Sequence, residues 1–154
     1  MDIIALKDCP ERIGTAAGWF HEKWKVPVEA YLESMEDSRR AKGGVPAWYI
    51  IPDEQEHIIA GIGVIENDFH KRKDLAPNLC ALFVEEPWRN RGLARRLLDH
   101  ACKGLAESGV EMAYLITSHR EFYERCGWRF YGMIEEDDGN LIRMYQRETG
   151  EAVL

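Results

Sequence analysis

The sequence predicts one mixed α/β domain spanning residues 1–154, and three observations support this prediction. The length of 154 residues fits a single domain. Hydrophobic residues make up 45% of the chain and charged residues 31%, a balance typical of a folded globular protein. Helical and strand patterns follow one another in the order β-α-α-β-β-β-α-β-α-β-β, without an internal repeat or a linker.

The first elements are a strand and two helices. Residues 2–7 are short, apolar and β-branched, which favours a strand. A helix opens near Pro10, and its apolar residues recur on one face: Ile13, Ala17, Phe20 and Trp24. Pro27 ends it, and a second helix follows with a similar face made of Val28, Tyr31, Leu32 and Met35.

A hairpin and a buried strand follow. Residues 47–51 and 58–65 are predicted to pair as two strands, and Gly61 and Gly63 inside the second predict a bulge or a close backbone approach. The polar residues 66–77 form a long loop that can border a site. Residues 79–84 are nearly all apolar, as in a strand buried on both faces.

The remaining elements alternate between helix and strand. Leucines and alanines at helical spacing predict a helix that begins near Arg91 and closes at Ser108 and Gly109. Residues 112–116 are a buried strand, and residues 119–125 a short helix. Strands at residues 128–134 and 141–145 flank the hairpin turn at Asp138 and Gly139.

The charge and the cysteines exclude several classes of protein. A formal net charge of −7 argues against a nucleic-acid-binding surface, although it allows one local anion site. The four cysteines form no C-x-x-C pair and the five histidines are scattered, so we expect no metal site. No segment has the length of a signal sequence or of a membrane span, and we therefore expect a cytoplasmic protein with free thiols.

The segment LFVEEPWRNRGLARRLL, residues 82–98, is the strongest sign of chemistry. A buried strand leads through a tight turn into a helix, and Gly92 and Ala94 leave room for a ligand to approach the backbone. The first amides of a helix lack intrahelical partners, and the helix dipole makes them suitable for phosphate. The segment holds four arginines, and no acid occurs between Pro87 and Leu98. An amphipathic helix with a solvated basic face is the alternative.

A second segment, HREFYERCGW at residues 119–128, follows the next buried strand. Phe122 and Trp128 are interpreted as core residues. Tyr123 is either a further core aromatic or, if the two buried strands are neighbours, a hydroxyl that reaches the ligand.

Together the two segments resemble the GNAT superfamily of acetyl-CoA-dependent N-acetyltransferases. Residues 89–94, RNRGLA, match the [QR]-x-x-G-x-[GA] pyrophosphate loop of that family. Residues 122–128, FYERCGW, resemble its later F-Y-x-x-x-G-[FW] segment. The element order agrees with the family over nearly the whole chain.

The resemblance implies a mostly antiparallel sheet that splays open after the strand at residues 79–84. The pantetheine arm of acetyl-CoA would pair in that gap with backbone groups around Leu82, Phe83 and Val84. The backbone N–H near Leu82 would polarise the acetyl carbonyl, and Tyr123 would act as general acid toward the departing thiolate. The pyrophosphate would rest on a run of residues comprising Arg89, Asn90, Arg91, Gly92, Leu93, Ala94 and Arg95.

The sequence also departs from the family pattern. Ile116 stands where many members carry an Asn, with Thr117 and Ser118 as the nearest polar residues. The strand face before the pyrophosphate loop presents Asn78 and Cys80, neither of them a good base. A covalent route through Cys80 is disfavoured, because the family typically transfers the acetyl group directly.

The general base is left open between three loop carboxylates and water. The carboxylates are Glu66, Asp68 and Asp74.

The resemblance places the acceptor near the first two helices and the strand hairpin. That region is rich in aromatic side chains, namely Trp19, Phe20, Trp24, Tyr31 and Trp48. It also holds Glu22, Glu29 and Glu33, and the combination suits a cationic amine. The alternative is an aromatic core beside solvated glutamates. The acceptor-binding candidates are Trp24, Tyr31, Glu66, Asn78 and Cys80.

We therefore expect an enzyme that acetylates a primary amine of a small molecule. A protein or peptide amine is the alternative acceptor, and a non-catalytic acyl-CoA sensor is the alternative from a different class. A homodimer is compatible with the resemblance.

Overall fold

The computed structural model describes residues 1–150, and seven strands form one sheet in it. The strands are β1 (Ile4–Ala5), β2 (Ala47–Pro52), β3 (Ile58–Ile65), β4 (Asn78–Val84), β5 (Met112–Thr117), β6 (Arg129–Glu135) and β7 (Leu141–Glu148). Their order across the sheet is β1-β2-β3-β4-β5-β7-β6. Only the β4–β5 pair is parallel among these strands. The predicted mixed, mostly antiparallel sheet is confirmed.

Two pairs of helices cover the two faces of the sheet. One face carries α1 (Ile13–Trp24) and α2 (Val28–Ser38), and the other carries α3 (Leu93–Glu107) and α4 (Glu121–Arg125). Successive residues of a strand point to opposite faces, and β2 shows how the core is divided. Trp48 and Ile50 pack with α1 and α2, whereas Tyr49 and Ile51 pack with α3.

The structure corrects three details of the sequence-based elements. The strand predicted at residues 2–7 covers only Ile4–Ala5, because Leu6–Asp8 and Pro10–Arg12 turn as short 3₁₀ helices. Helix α3 begins at Leu93 rather than near Arg91. The predicted burial of residues 79–84 on both faces is wrong for residues 81–84, which are partly exposed because they line a cavity.

Gly61 and Gly63 of β3 mark both a close approach to the backbone and a bulge, as the sequence predicts. A side chain at Gly61 would come within 2.7 Å of the Phe20 ring, and one at Gly63 would collide with the Trp48 indole. The pairing of β3 with β4 also shifts register between these two glycines. Absence of a side chain here lets the aromatic residues of the core lie directly on the strand.

None of the helices within residues 1–150 has the length and hydrophobicity needed to cross a membrane. All four cysteines are free thiols, as expected from their spacing.

Candidate active site

A cleft opens in the sheet where β4 and β5 diverge. These two strands pair only at Asn78 and Tyr114. Beyond that pair lies a cavity of about 1040 Å³, which is large enough for a bulky ligand. Residues from both sides of the gap line it, among them Leu82 and Val84 from β4 and Leu115 and Thr117 from β5.

A β-bulge interrupts β4 at the wall of this cavity. Gly63 pairs with Cys80 and Gly61 with Phe83, so one residue of β3 stands opposite Ala81 and Leu82. Ala81 has a φ of 55°, a left-handed conformation that is uncommon for a residue with a side chain. The Trp24 indole N–H donates to the Ala81 carbonyl at 3.1 Å and holds the bulge from the end of α1.

The turn before α3 presents a run of free backbone donors. Asn90 (φ 63°) and Gly92 (φ 77°) are left-handed, and Gly92 is the N-cap of α3. Within residues 1–150, the backbone N–H groups of residues 90–95 make no hydrogen bond. A side chain added at Gly92 would meet open space. Free amides at a helix N-terminus beside an open cradle form an anion site.

The four arginines of this region point in different directions. Arg89 and Arg95 line the cavity. Arg89 donates to the Val84 carbonyl at 2.9 Å and lies over the Phe83 ring, whereas Arg95 donates to the Arg125 carbonyl. Arg91 packs over Trp88, and Arg96 donates to the Met1 carbonyl at 2.8 Å. Thus only part of the predicted basic cluster faces the cavity.

Tyr123 lies at the cavity wall on α4. Burial raises the pKa of its phenol to about 12, with the Thr117 side chain acting in the opposite direction. Its ring stacks on Tyr145, with the ring centroids 6.1 Å apart. The phenol therefore keeps its proton at neutral pH and is held in one orientation.

The opposite end of the cavity is aromatic and acidic. Its walls come from six separate parts of the chain and include Trp24, Tyr31, Ser34, Trp48, Asp68, Phe69, Cys80 and Glu136. Tyr31 is 5% exposed, and its hydroxyl has no hydrogen-bond partner within residues 1–150. Burial raises the pKa of Tyr31, and the nearby Cys80 and Asp68 add to the effect. These groups therefore lie close together.

Of the three candidate base carboxylates, only Asp68 lines the cavity. Burial, helped by the charge of Glu136, raises its pKa to about 6. Asp74 is exposed and binds Arg72 through both oxygens, which lowers its pKa. Glu66 is exposed as well. A carboxylate whose pKa lies near neutrality is suited to accept a proton.

A buried hydrogen-bond network fixes Asp68. The Asn78 side-chain oxygen accepts from the Asp68 backbone N–H at 3.1 Å and from the His70 Nε2 at 2.6 Å. The Arg72 backbone N–H donates to His70 Nδ1, which assigns the imidazole proton to Nε2. Asn78 also donates to the Leu75 carbonyl at 2.8 Å. Asn78 thus anchors the loop at residues 66–77 and does not face the cavity.

Cys80 is a poor nucleophile in this position. Its side chain is buried, and burial together with the charge of Asp68 raises the pKa of the thiol well above its usual value. A neutral thiol does not attack a thioester readily.

The structure brings most of the sequence-predicted site residues to the cavity. Of the cofactor-binding candidates, those that line it are Leu82, Phe83, Val84, Arg89, Asn90, Gly92, Leu93, Ala94 and Arg95. Arg91, Glu66 and Asn78 do not line it. Trp19 and Phe20 are buried in the core, and the glutamates Glu22, Glu29 and Glu33 are exposed and lie outside the cavity.

Sequence reasoning missed three residues at the acidic end, Ser34, Phe69 and Glu136. The backbone of Glu136 pairs with that of His70, and the Asp137 N–H donates to the Phe69 carbonyl at 2.9 Å. This contact between a loop and a distant hairpin leaves no local pattern in the sequence.

Comparisons with known proteins agree with this geometry. The sequence matches the family described as "Acetyltransferase (GNAT) domain" over residues 47–130, which is more than half of the chain. The comparison with curated proteins finds no significant match.

Several solved structures share the fold at low sequence identity. An aminoglycoside 6'-N-acetyltransferase complexed with coenzyme A is 17% identical, with a TM-score of 0.69 and 99% of each chain covered. A GNAT-family acetyltransferase from Streptococcus pneumoniae is 13% identical, with a TM-score of 0.71, covering 97% of this chain and 100% of that one. A spermidine N-acetyltransferase variant from Vibrio cholerae is 12% identical, with a TM-score of 0.67, covering 97% and 95%.

Proposed function

The chain belongs to the GNAT family of acetyltransferases, and we propose that it transfers the acetyl group of acetyl-CoA directly to a primary amine of a small molecule. One observation carries the proposal. A single cavity joins the free amides before α3 to the partly buried carboxylate of Asp68, and Tyr123 lies on its wall. Such a cavity would accommodate an anionic donor and a cationic acceptor at the same time.

The residues at the end of the cavity that Arg89 and Arg95 line fit acetyl-CoA. The free N–H groups of residues 90–95 would hold the pyrophosphate, and the open space at Gly92 leaves room for it. The unpaired edge of β4 at residues 82–84 would hold the pantetheine amides in the gap. Acetyl-CoA supplies an activated acyl group as a thioester. The aminoglycoside acetyltransferase of similar fold is complexed with coenzyme A, which supports this assignment.

Two side chains of this protein are suited to move the protons of the reaction. Asp68 would accept the proton of the bound ammonium, directly or through water, because its carboxylate is ionised above a pH of about 6. Tyr123, protonated at neutral pH, would donate its phenolic proton toward the departing thiolate. The backbone N–H of Leu82, displaced from regular pairing by the bulge, would donate to the acetyl oxygen.

The acceptor end favours a small cationic molecule over a protein. Aromatic side chains of Tyr31 and Trp48 and the carboxylates of Asp68 and Glu136 surround it. Aromatic faces and carboxylates both attract an ammonium. Structures of similar fold include an aminoglycoside 6'-N-acetyltransferase and a spermidine N-acetyltransferase, whose names point to amine acceptors.

An amine panel tests the proposal. We expect the purified protein to release the CoA thiol from acetyl-CoA in the presence of small primary amines, and faster with cationic amines than with neutral ones. Tight acetyl-CoA binding without thiol release for any amine would instead favour an acyl-CoA sensor. Faster release with peptides than with small amines would favour a protein or peptide acceptor.

A further inference from the structure

Phe69 presents an unpacked aromatic ring at the acceptor end of the cavity. Its side chain lines the cavity and is 58% exposed. The other exposed Phe, Tyr and Trp side chains of residues 1–150, one at the end of α1 and two on β6, each pack against another ring. Phe69 makes no such contact with the described part of the chain. Its ring therefore offers free apolar surface to a molecule bound in the cavity.

The backbone at Phe69 is held in an unfavourable conformation. Its φ is 61°, in the left-handed region that a bulky side chain rarely adopts. Hydrogen bonds fix the chain around it: the Asp137 N–H donates to the Phe69 carbonyl at 2.9 Å, and Asn67 and His70 exchange two bonds, at 3.0 and 2.9 Å. Strain of this kind persists where the surrounding structure enforces it, often at ligand sites. The ring is thus held at the cavity wall before a ligand binds.

Both carboxylates of the acceptor end lie close to this ring and attract positive charge to one place. Asp68 precedes Phe69 in the chain, and the backbone of Glu136 pairs with that of His70. Burial raises the pKa of Asp68, and the charge of Glu136 raises it further, as expected for neighbouring carboxylates. One ammonium beside Asp68 would therefore interact with both.

The rest of this end is mostly apolar. Besides Phe69, the apolar side chains that line it are Trp24, Val26, Ala30, Trp48 and Ile65. Two hydroxyls, those of Tyr31 and Ser34, also line it, and the Ser34 oxygen already accepts from the Trp48 indole at 2.8 Å. A second ammonium or several hydroxyls of a ligand would lose water here without gaining enough partners, which is costly.

We propose that the acceptor is a monoamine with an apolar body and that Phe69 determines this specificity; the inference rests on the acetyl transfer proposed above. The ammonium would lie beside Asp68, and the hydrocarbon part would pack on the Phe69 ring. In the transfer, the amine nitrogen bonds to the acetyl carbon as the C–S bond breaks, and the products are an amide, the CoA thiol and one proton. A polyamine or an amino sugar would place charges or hydroxyls against the apolar walls.

Two matched pairs of amines test the specificity. Hexylamine and hexamethylenediamine have the same carbon chain, and the second adds a terminal ammonium. Cyclohexylamine and glucosamine both carry the amine on a ring, and the second adds hydroxyls. We would measure kcat and KM for thiol release from acetyl-CoA with each, and with methylamine, which has no apolar body to pack on Phe69. We expect kcat/KM to be higher by about tenfold or more for the apolar member of each pair.

The variant Phe69→Asn tests the role of the ring. Asn accepts a left-handed φ more readily than Phe, so the backbone should keep its shape and Tm should be no lower than in the wild type. KM for hexylamine should rise about tenfold with kcat unchanged, because packing on the ring is equal in the ground state and the transition state. The kinetics with methylamine should not change. Leu141→Ala shortens a 66% exposed apolar side chain outside the cavity and should alter neither reaction.

Two results would overturn this specificity even though thiol release is observed. One is a kcat/KM for hexamethylenediamine or glucosamine that equals or exceeds that of its apolar counterpart. The other is a Phe69→Asn variant that leaves KM for hexylamine unchanged, or that loses activity equally with hexylamine and methylamine, as a merely structural role would predict. Absence of thiol release with all five amines would overturn the acetyl transfer itself, and this inference with it.

Discussion

Asp68 is the residue at which stability and activity oppose each other. Its carboxylate lies half-buried beside Glu136, and burial holds its pKa at about 6, well above the usual value for Asp. Folding therefore stabilises the protonated acid relative to the unfolded chain, whereas accepting a proton from an ammonium requires the ionised form, which predominates only above a pH of about 6. A structural carboxylate would be paired with a cation, as Asp74 is with Arg72.

The substitution Asp68→Asn should lower kcat/KM about 100-fold at pH 8, in line with the usual contribution of a general base. The ratio of wild-type to variant kcat/KM should decline toward one as the pH falls below about 6, where Asp68 is protonated. Because both proteins act on the same amine, the pH dependence that comes from ionisation of the amine cancels in this ratio. Asp74→Asn, which alters an exposed carboxylate of the same loop, should leave the rate unchanged. A pH-independent ratio would contradict the assignment.

The same variant should be more stable than the wild type at neutral pH. A raised acid pKa means that the unfolded chain ionises first, so folding stability falls as the pH rises from about 4 to about 6. Removing the charge should raise the free energy of unfolding by about 1–2 kcal/mol at pH 7, after allowance for partial exposure. Below pH 4 the gain should vanish in denaturant unfolding curves.

Tyr123 contributes its hydroxyl rather than its ring to the proposed reaction. Tyr123→Phe should lower kcat by roughly ten- to a thousandfold, the range typical of a general acid, and leave the affinity for acetyl-CoA unchanged. Steady-state kinetics and calorimetric titration with acetyl-CoA measure the two effects. An unaltered kcat, with chemistry shown to limit the rate, would remove Tyr123 from the mechanism.

At the scale of elements, the N-terminus of α3 is the donor site. Gly92→Glu should abolish acetyl-CoA binding, because it places a carboxylate in the open space beside the free amides of residues 90–95. Gly109→Glu is the matched control, since Gly109 also has a left-handed φ (86°) and open space around it, but follows the other end of α3. Both changes carry a similar backbone strain, of about 1 kcal/mol. Calorimetric titration should therefore show lost affinity only for Gly92→Glu.

The loop at residues 66–77 works as an element that positions Asp68. Asn78→Ala removes the acceptor of the Asp68 N–H and leaves the Nε2–H of the buried His70 without an acceptor. We expect a destabilisation of about 2–4 kcal/mol. We also expect a decrease in kcat with an unchanged Kd for acetyl-CoA. An equal loss of acetyl-CoA affinity would indicate general damage to the fold instead of a displaced Asp68.

The sequence predicts the acetyl-CoA end of the cavity far better than the acceptor end, because the first comes from one segment of the chain and the second from several. The donor site occupies one continuous segment at residues 82–98, so its small residues and arginines form a visible pattern. The acceptor end joins α1, α2, β2, the loop after β3, β4 and the turn after β6. Sequence reasoning could offer Asp68 only as one of three carboxylates and could not find Glu136, because the pairing of His70 with Glu136 exists only in the folded chain.

At the scale of the whole molecule, the sheet consists of two parts joined at one place. β1 to β4 form one part and β5, β7 and β6 the other, with Asn78 and Tyr114 as the pair between them. α3 packs in the core shared by both parts. A donor in the gap would contact both parts at once.

Coenzyme A should therefore stabilise the whole fold. A ligand at 100 times its Kd that binds only the native state adds about 2.7 kcal/mol of stability, which raises Tm by about 5–10 °C for a chain of this size. Thermal unfolding with and without CoA measures the shift, and hydrogen exchange should slow at β4 and β5. The Gly92→Glu variant should show no such shift. A Tm that CoA does not change would argue against binding in the gap.

The bulge and the divergence at β4 also bear on how the protein behaves without its donor. The β5-facing edge of β4 beyond Asn78 carries backbone groups that no neighbouring strand satisfies. Such an edge accepts any extended chain that reaches it, including a segment of a partly unfolded copy. Coenzyme A bound at that edge would prevent another chain from pairing with it. The protein would therefore aggregate more when coenzyme A is scarce and less when it is abundant.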